Sequence, residues 1–147
     1  MTTNTDPTPR WFALPLLVLG MLGFVSAWVL AALLFERQCA WLALLAAVDM
    51  VLLLGIARWP AGGRRAAWAF MATAAAIALA NFGIAAGEIG KSFGLRPWES
   101  ALMLGPDHAW TLLKMANSPL DLAFYALGLL VALIAGFSAR RRALSVR

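Results

Sequence analysis

Long apolar runs dominate this chain. Four of them, at 12–35, 39–57, 66–87 and 119–138, hold at most one charged residue each. An α-helix rises ~1.5 Å per residue, so ~20 apolar residues cross the ~30 Å hydrocarbon core of a bilayer. The runs lack the alternation of barrel strands, and only helices or closed barrels satisfy their backbone in lipid. The pattern predicts an all-α integral membrane protein, a four-transmembrane-helix bundle.

The link at 88–118 is too long for a simple connector and carries helix signals of its own. Pro97 suits the first position of a short helix that Gly105 ends, and Asp107 suits the N-cap of a second helix over 108–116. Both pieces are amphipathic, so we expect an interfacial helical segment, the lid, between helices 3 and 4. The lid either packs over the bundle or covers a binding site. The lid residues of interest are Trp98, Asp107, His108 and Trp110.

The basic residues predict the orientation of the spans. Of the twelve Lys and Arg residues, only Arg37, Lys91, Arg96 and Lys114 fall on the side opposite the termini. Lys and Arg are enriched in cytoplasmic loops, so both termini are predicted to be cytoplasmic and 88–118 periplasmic or extracellular, in the cell (inner) membrane. The N-terminal tail is 1–11, and the basic tail at 139–147 is expected to bind anionic lipid.

Composition removes several function classes. The chain is 63% hydrophobic with a net charge of +5, and its basic residues lie in short loops and the tail, which disfavours nucleic acid as a partner. The single Cys39 excludes an internal disulfide and a Cys-x-x-Cys redox pair. The single His108 excludes a haem held by two histidines of one chain. We therefore expect no cofactor, no metal and no catalytic residue set.

One acid lies in the middle of an apolar run. Asp49 is close to mid-bilayer, where a carboxylate costs several kcal/mol unless it faces protein or water. By helix rise, Ser26, Asn81 and Tyr125 of the other three spans lie at comparable depth. These four residues are predicted to form a polar core. It would be a structural hydrogen-bond clamp or a site for a proton, cation or ligand; the remaining alternative is a contact of Asp49 with another subunit.

Charged residues gather at the outer ends of the spans. Glu88 and Lys91 are three residues apart and can pair on one helical face. A mixed ring at the outer mouth would comprise Glu36, Arg37, Glu88 and Lys91, with Asp121 beside it. The alternative is ordinary solvated charge at headgroup level. Asp121 has a simpler role as a first-turn acid after the N-cap Ser118.

Small residues recur at helical spacing in the third span. Ala72, Ala76 and Ala80 form one stripe, and such stripes let helices approach closely. The stripe predicts a central helix or a contact with a protein partner or a second copy.

Three functions remain open. The favoured one is a non-enzymatic accessory or assembly component of a larger membrane system. The second is a small oligomeric transporter or channel with Asp49 as its proton, cation or ligand site. The third is a membrane enzyme acting on a lipid or quinone at the outer surface.

Overall fold

The chain folds into helices joined by short turns. A computed structural model describes residues 12–142, and within this part the regular structure is entirely helical, which confirms the all-α class. The helices are α1 (Ala13–Phe35), α2 (Leu42–Ile56), α3 (Gly63–Phe93), α4 (Pro97–Met103), α5 (Pro106–Ala116) and α6 (Pro119–Arg142). The predicted tail at 1–11 and the last residues of the tail at 139–147 lie outside the described residues.

Within residues 12–142, three helices are long and apolar enough to cross a membrane: Ala13–Phe35, Gly63–Phe93 and Pro119–Ser138. The apolar α2 has only 15 residues, which is ~22 Å of helix. Left-handed turn residues limit it on both sides, because Cys39 precedes it with φ 47° and Arg58 follows it with φ 54°. The protein is therefore a helical protein with three helices able to span a membrane and a fourth, shorter apolar helix.

The centre of the bundle is α3, against which α1, α2 and α6 all pack. Ala72, Ala76 and Ala80 are buried in this interior. The predicted stripe therefore serves the chain's own helices, and it is not available to a partner or a second copy. Its small side chains allow the close approach of three neighbours to one helix.

Glycine contacts fix the helix directions. Val29 lies against Gly83 and Leu33 against Gly87, so α1 and α3 run parallel. In α6, Gly128 touches the backbone of Ala43 at the start of α2, and Gly136 touches Ala66 near the start of α3. Since those contacts join the first part of α6 to the start of α2 and its last part to the start of α3, α6 runs parallel to α2 and antiparallel to α3.

The lid is shorter than predicted, because α3 continues past residue 87 to Phe93 and ends at Gly94, whose φ is 66°. The second lid helix begins at Pro106, with Gly105 as N-cap. Our prediction of an N-cap at Asp107 was wrong; proline suits the first helical turn, so the helix starts there and Asp107 lies within that turn.

Candidate functional site

A cluster of amide and phenol side chains lies toward the end of the bundle that carries the lid, and we call this end the outer end as a label only. The cluster comprises Gln38, Asn81, Asn117 and Tyr125, and we call it the outer amide cluster. Asn81 Oδ1 accepts hydrogen bonds from Gln38 Nε2 at 2.7 Å, Asn117 Nδ2 at 3.0 Å and the Tyr125 hydroxyl at 3.3 Å. Asn117 Oδ1 accepts from Tyr125 at 2.9 Å and from Gln38 at 3.2 Å. The cluster thus joins α3, α6, the α1–α2 turn and the end of the lid.

Trp28 closes one side of this cluster. Its side chain is 1% exposed, and its Nε1 donates to the Gln38 carbonyl oxygen at 3.2 Å. The ring packs at 6.4 Å from both Phe24 and Tyr125. A buried indole needs a hydrogen-bond partner, which explains a tryptophan inside the first apolar run rather than at its end.

Nearly all hydrogen-bonding groups of the cluster are bonded to other groups of the protein. Asn81 Nδ2 donates to the Ile77 carbonyl oxygen at 2.9 Å, and Asn117 Nδ2 to that of Leu113 at 2.8 Å. Within residues 12–142, Gln38 Oε1 is the one side-chain amide oxygen of the cluster that accepts no hydrogen bond. This oxygen is the free acceptor of the cluster.

The predicted four-residue polar core is divided. Asn81 and Tyr125 meet, but Ser26 is exposed on the outer face of α1 and donates to the Leu22 carbonyl oxygen at 2.8 Å. Asp49 is partly exposed, and no side chain in the described part of the chain hydrogen-bonds to it. Residue counting gives depth but not the rotation of a helix about its axis, and rotation separates these residues.

Asp49 lies at the edge of α2 that borders α1. Leu53, one turn further along α2, packs against Gly20 of α1. Because the two helices are antiparallel, Asp49 is level with the turn of α1 that contains Gly23, beyond which comes Ala27. Gly23 and Ala27 are exposed, and a Cβ added at Gly23 would meet nothing within 4 Å. Gly23 and Ala27 thus lie on the exposed face of α1 at about the level of Asp49, and we call the surface between α1 and α2 at this level the α1–α2 groove.

The outer charges form one pair rather than a ring. Lys91 Nζ lies 3.4 Å from Glu88 Oε1 and donates to the Leu33 carbonyl oxygen at 2.8 Å, near the end of α1. Glu36 is the C-cap of α1 with φ 51°. Glu36 and Arg37 are exposed in the turn, and neither joins this pair. Lys91 thus satisfies carbonyl groups that helix ends leave open.

Asp121 caps α6. Its Oδ2 accepts from the Ser118 backbone N–H at 2.9 Å and the Ser118 hydroxyl at 2.7 Å. The Ser118 hydroxyl oxygen in turn accepts from the Asp121 N–H at 3.3 Å. These reciprocal contacts are those of a capping box and account for Asp121 fully.

The lid is attached to the bundle at its two ends and packs on α3 between them. At one end the buried Ser100 hydroxyl donates to the Ala86 carbonyl oxygen at 2.8 Å, beside Gly90. At the other end Asn117 joins the outer amide cluster. Between these anchors, α5 packs on α3 alone among the described helices. Two adjoining cavities of about 530 and 290 Å³ lie beneath it.

The four predicted lid residues do not converge. Trp98 and Trp110 are 59% and 62% exposed, with the cations of Arg96 and Lys114 each 5.3 Å from the respective ring centre. Asp107 is exposed, and His108 lines the larger cavity. The tryptophans therefore form an outer amphipathic surface, while His108 belongs to the cavity wall.

Sequence reasoning missed Gln38, Asn117 and the inward role of Trp28. The first two lie in links, where polar side chains are ordinarily solvated, so their types carried no signal. Their contact with Asn81 and Tyr125 depends on the path of the two links, which the sequence pattern does not give. In residues 12–142, no group of three or more His, Cys, Asp or Glu side chains is placed to hold a metal ion.

No protein-family model, curated protein or solved structure matches this chain. Its function is therefore inferred from the arrangement of its own residues.

Proposed function

We propose that this protein is a non-enzymatic component of a larger membrane system, and that it binds a partner's transmembrane helix in the α1–α2 groove. The observation that carries the proposal is the partly exposed Asp49, which has no hydrogen-bond partner among the described residues and lies at about the level of the open space at Gly23. Small residues at a groove let another helix approach closely. An acid within the membrane faces protein, water or a pairing group.

Charge indicates the chemistry of the partner. The chain has no Lys or Arg in α1 or α2, and those of α3 lie toward its two ends. The nearest buried cation in sequence, Arg65, donates instead to the Val51 carbonyl oxygen at 2.8 Å. A second copy would bring another acid to the same face. We therefore infer a different chain, whose spanning helix carries a basic side chain at the level of Asp49.

The proposal includes the way in which the chain crosses the membrane. All four apolar helices, α2 included, cross the cell (inner) membrane, with both termini in the cytoplasm and the lid on the outer side. What supports a crossing by α2 is its path: it starts beside Gly128 of α6 and its Val51 carbonyl oxygen reaches Arg65 at the start of α3. A helix shorter than the hydrocarbon core is accommodated by local thinning of the bilayer.

Gentle purification of the tagged chain from its own cells tests the proposal, with co-purifying proteins quantified by mass spectrometry. We expect Asp49→Leu to lower recovery of one membrane protein more than tenfold, because removing one member of a buried charge pair costs ~2–5 kcal/mol. Glu36→Gln, which removes an exposed acid in the outer turn, is the matched control and should retain the partner.

Charge exchange identifies the contact. The partner should carry a Lys or Arg within a membrane span. Asp49→Lys should abolish recovery of the partner. Replacing that Lys or Arg of the partner by Asp should then restore its recovery with the Asp49→Lys chain. Unchanged recovery with Asp49→Leu would contradict the proposal. The transporter alternative would instead be supported if the purified chain alone conducted cations in liposomes and Asp49→Asn abolished that flux.

A further inference from the structure

The space under α5 is a built cavity with fixed ends. Ser100 anchors the lid to the Ala86 carbonyl oxygen, and Asn117 anchors it to Asn81 and Tyr125. Between these anchors α5 packs on α3 alone among the described helices, and the space between the lid and α3 is lined by residues of both. We call this space the lid cavity.

The lid cavity is elongated and mainly apolar. Its larger part, about 530 Å³, is bordered by Phe93, Met103 and Leu104. Its smaller part, about 290 Å³, is bordered by Ile84, Leu113 and Met115. Ile89 and Leu112 border both parts, so the two parts adjoin at these side chains. Volumes of this size are typical of small-molecule sites, and the exposed Phe93 and Met103 place its mouth in contact with the membrane.

The smaller part ends at polar groups. Gln38 and Asn81 lie in its wall, together with Glu88. Asn81 Oδ1 already accepts three hydrogen bonds, and the Glu88 carboxylate is paired with Lys91. In the described part of the chain, no donor is recorded for Gln38 Oε1, so this amide oxygen is the acceptor that the polar end of the cavity offers to a hydrogen-bond donor.

We propose that the lid cavity binds a single-chain amphiphile with an uncharged, hydroxyl-bearing head. The apolar chain lies between α3 and α5, past Ile89 and Leu112, and the hydroxyl donates to Gln38 Oε1. A deprotonated, anionic head has no hydrogen to donate to the Gln38 oxygen and would lie beside the Glu88 carboxylate, which disfavours it. The proposal is independent of the proposed partner helix, because neither Asp49 nor another residue of α2 is among the lining residues of the lid cavity.

Photolabelling of the full chain in detergent tests this site, with a diazirine-bearing monoacylglycerol as the probe. We expect label on peptides containing Ile89 and Leu112, and competition by unlabelled monooleoylglycerol. Leu112→Trp fills the cavity and should lower labelling at least tenfold. Leu130→Trp, the same change at an exposed position of α6, is the matched control and should leave labelling unchanged.

Competition with the unaltered chain tests the head group and does not depend on the folding of any variant. Methyl oleate has the same chain length and no hydroxyl, so it should compete about tenfold less well than monooleoylglycerol, as expected for one lost hydrogen bond. Equal competition by the two compounds would overturn the assignment of the head. Label spread evenly over the lipid-facing helices would overturn the cavity as a binding site.

Discussion

Two glycine positions offer the same chemical change with opposite expected results. Gly136 is buried where α6 crosses α3, and a Cβ added there would lie 2.5 Å from Ala66 Cα and 3.0 Å from Ala66 N. At Gly23 an added Cβ would have no heavy atom within 4 Å. The variants Gly136→Ala and Gly23→Ala therefore separate the effect of helix packing from the effect of removing a glycine.

The magnitude follows from the contact distances. Carbon atoms pack at ~3.5–4.0 Å, so Gly136→Ala requires α3 and α6 to separate by ~1 Å. Overpacking of this kind costs ~1–3 kcal/mol, and replacing a helical glycine by alanine returns ~0.5–1 kcal/mol. We expect a net loss of up to ~2.5 kcal/mol in the free energy of unfolding for Gly136→Ala, and no loss or a small gain for Gly23→Ala.

Reversible unfolding in mixed micelles of dodecyl maltoside and SDS, followed by circular dichroism, measures both variants. The reasoning would be refuted if Gly136→Ala unfolded at the same SDS fraction as Gly23→Ala. It would equally be refuted if Gly23→Ala were the less stable of the two, because Gly23 would then be packed rather than open.

Three further predictions concern the polar contacts. Asn81→Leu should lower the free energy of unfolding by only ~1–2 kcal/mol in the same assay, because each of its three donors keeps a second acceptor in the structure. Ser100→Ala removes the hydrogen bond to the Ala86 carbonyl oxygen and should accelerate amide hydrogen exchange across 97–116, measured by mass spectrometry, while α1 stays protected. Asp121→Ala breaks the capping box with Ser118 and should cost ~0.5–2 kcal/mol in micelle unfolding.

Each of these has its own contradicting result. A loss above ~4 kcal/mol for Asn81→Leu would mean that the donors have no alternative acceptors. If amide exchange in the lid were unchanged in Ser100→Ala, the Ser100 hydrogen bond would not be an anchor of the lid. Asp107→Ala is the control for the cap, since Asp107 lies in a first turn but its carboxylate accepts no hydrogen bond in the described part of the chain; equal effects of the two changes would rule out the capping role.

The helices could be predicted from the sequence because their signal is one-dimensional. Apolar length alone located α1 and α6 to within a few residues, and Pro97 marked the start of α4. The shorter α2 was overextended, since the left-handed turn residues that limit it, Cys39 and Arg58, are not types that favour such turns. The start of α5 was misplaced because Pro106 both ends one segment and begins the next.

The candidate site was only half predictable because it depends on rotation of the helices. Depth counting placed Asn81 and Tyr125 together, and they do meet. The same count placed Asp49 and Ser26 with them, but Ser26 is exposed and Asp49 is partly exposed, away from the outer amide cluster. Gln38 and Asn117 were not predicted to join the site, because they lie in links whose path the sequence does not give.

Photo-crosslinking in cells tests the central claim most directly, that Asp49 and the α1–α2 groove bind a partner's helix. A benzoylphenylalanine at Ala27, in the groove, should crosslink to one membrane protein, and the same group at Leu130, on the exposed face of α6, should not. Asp49→Leu should remove the Ala27 crosslink. Crosslinks of equal strength at both positions, or an Ala27 crosslink that persists with Asp49→Leu, would contradict the account.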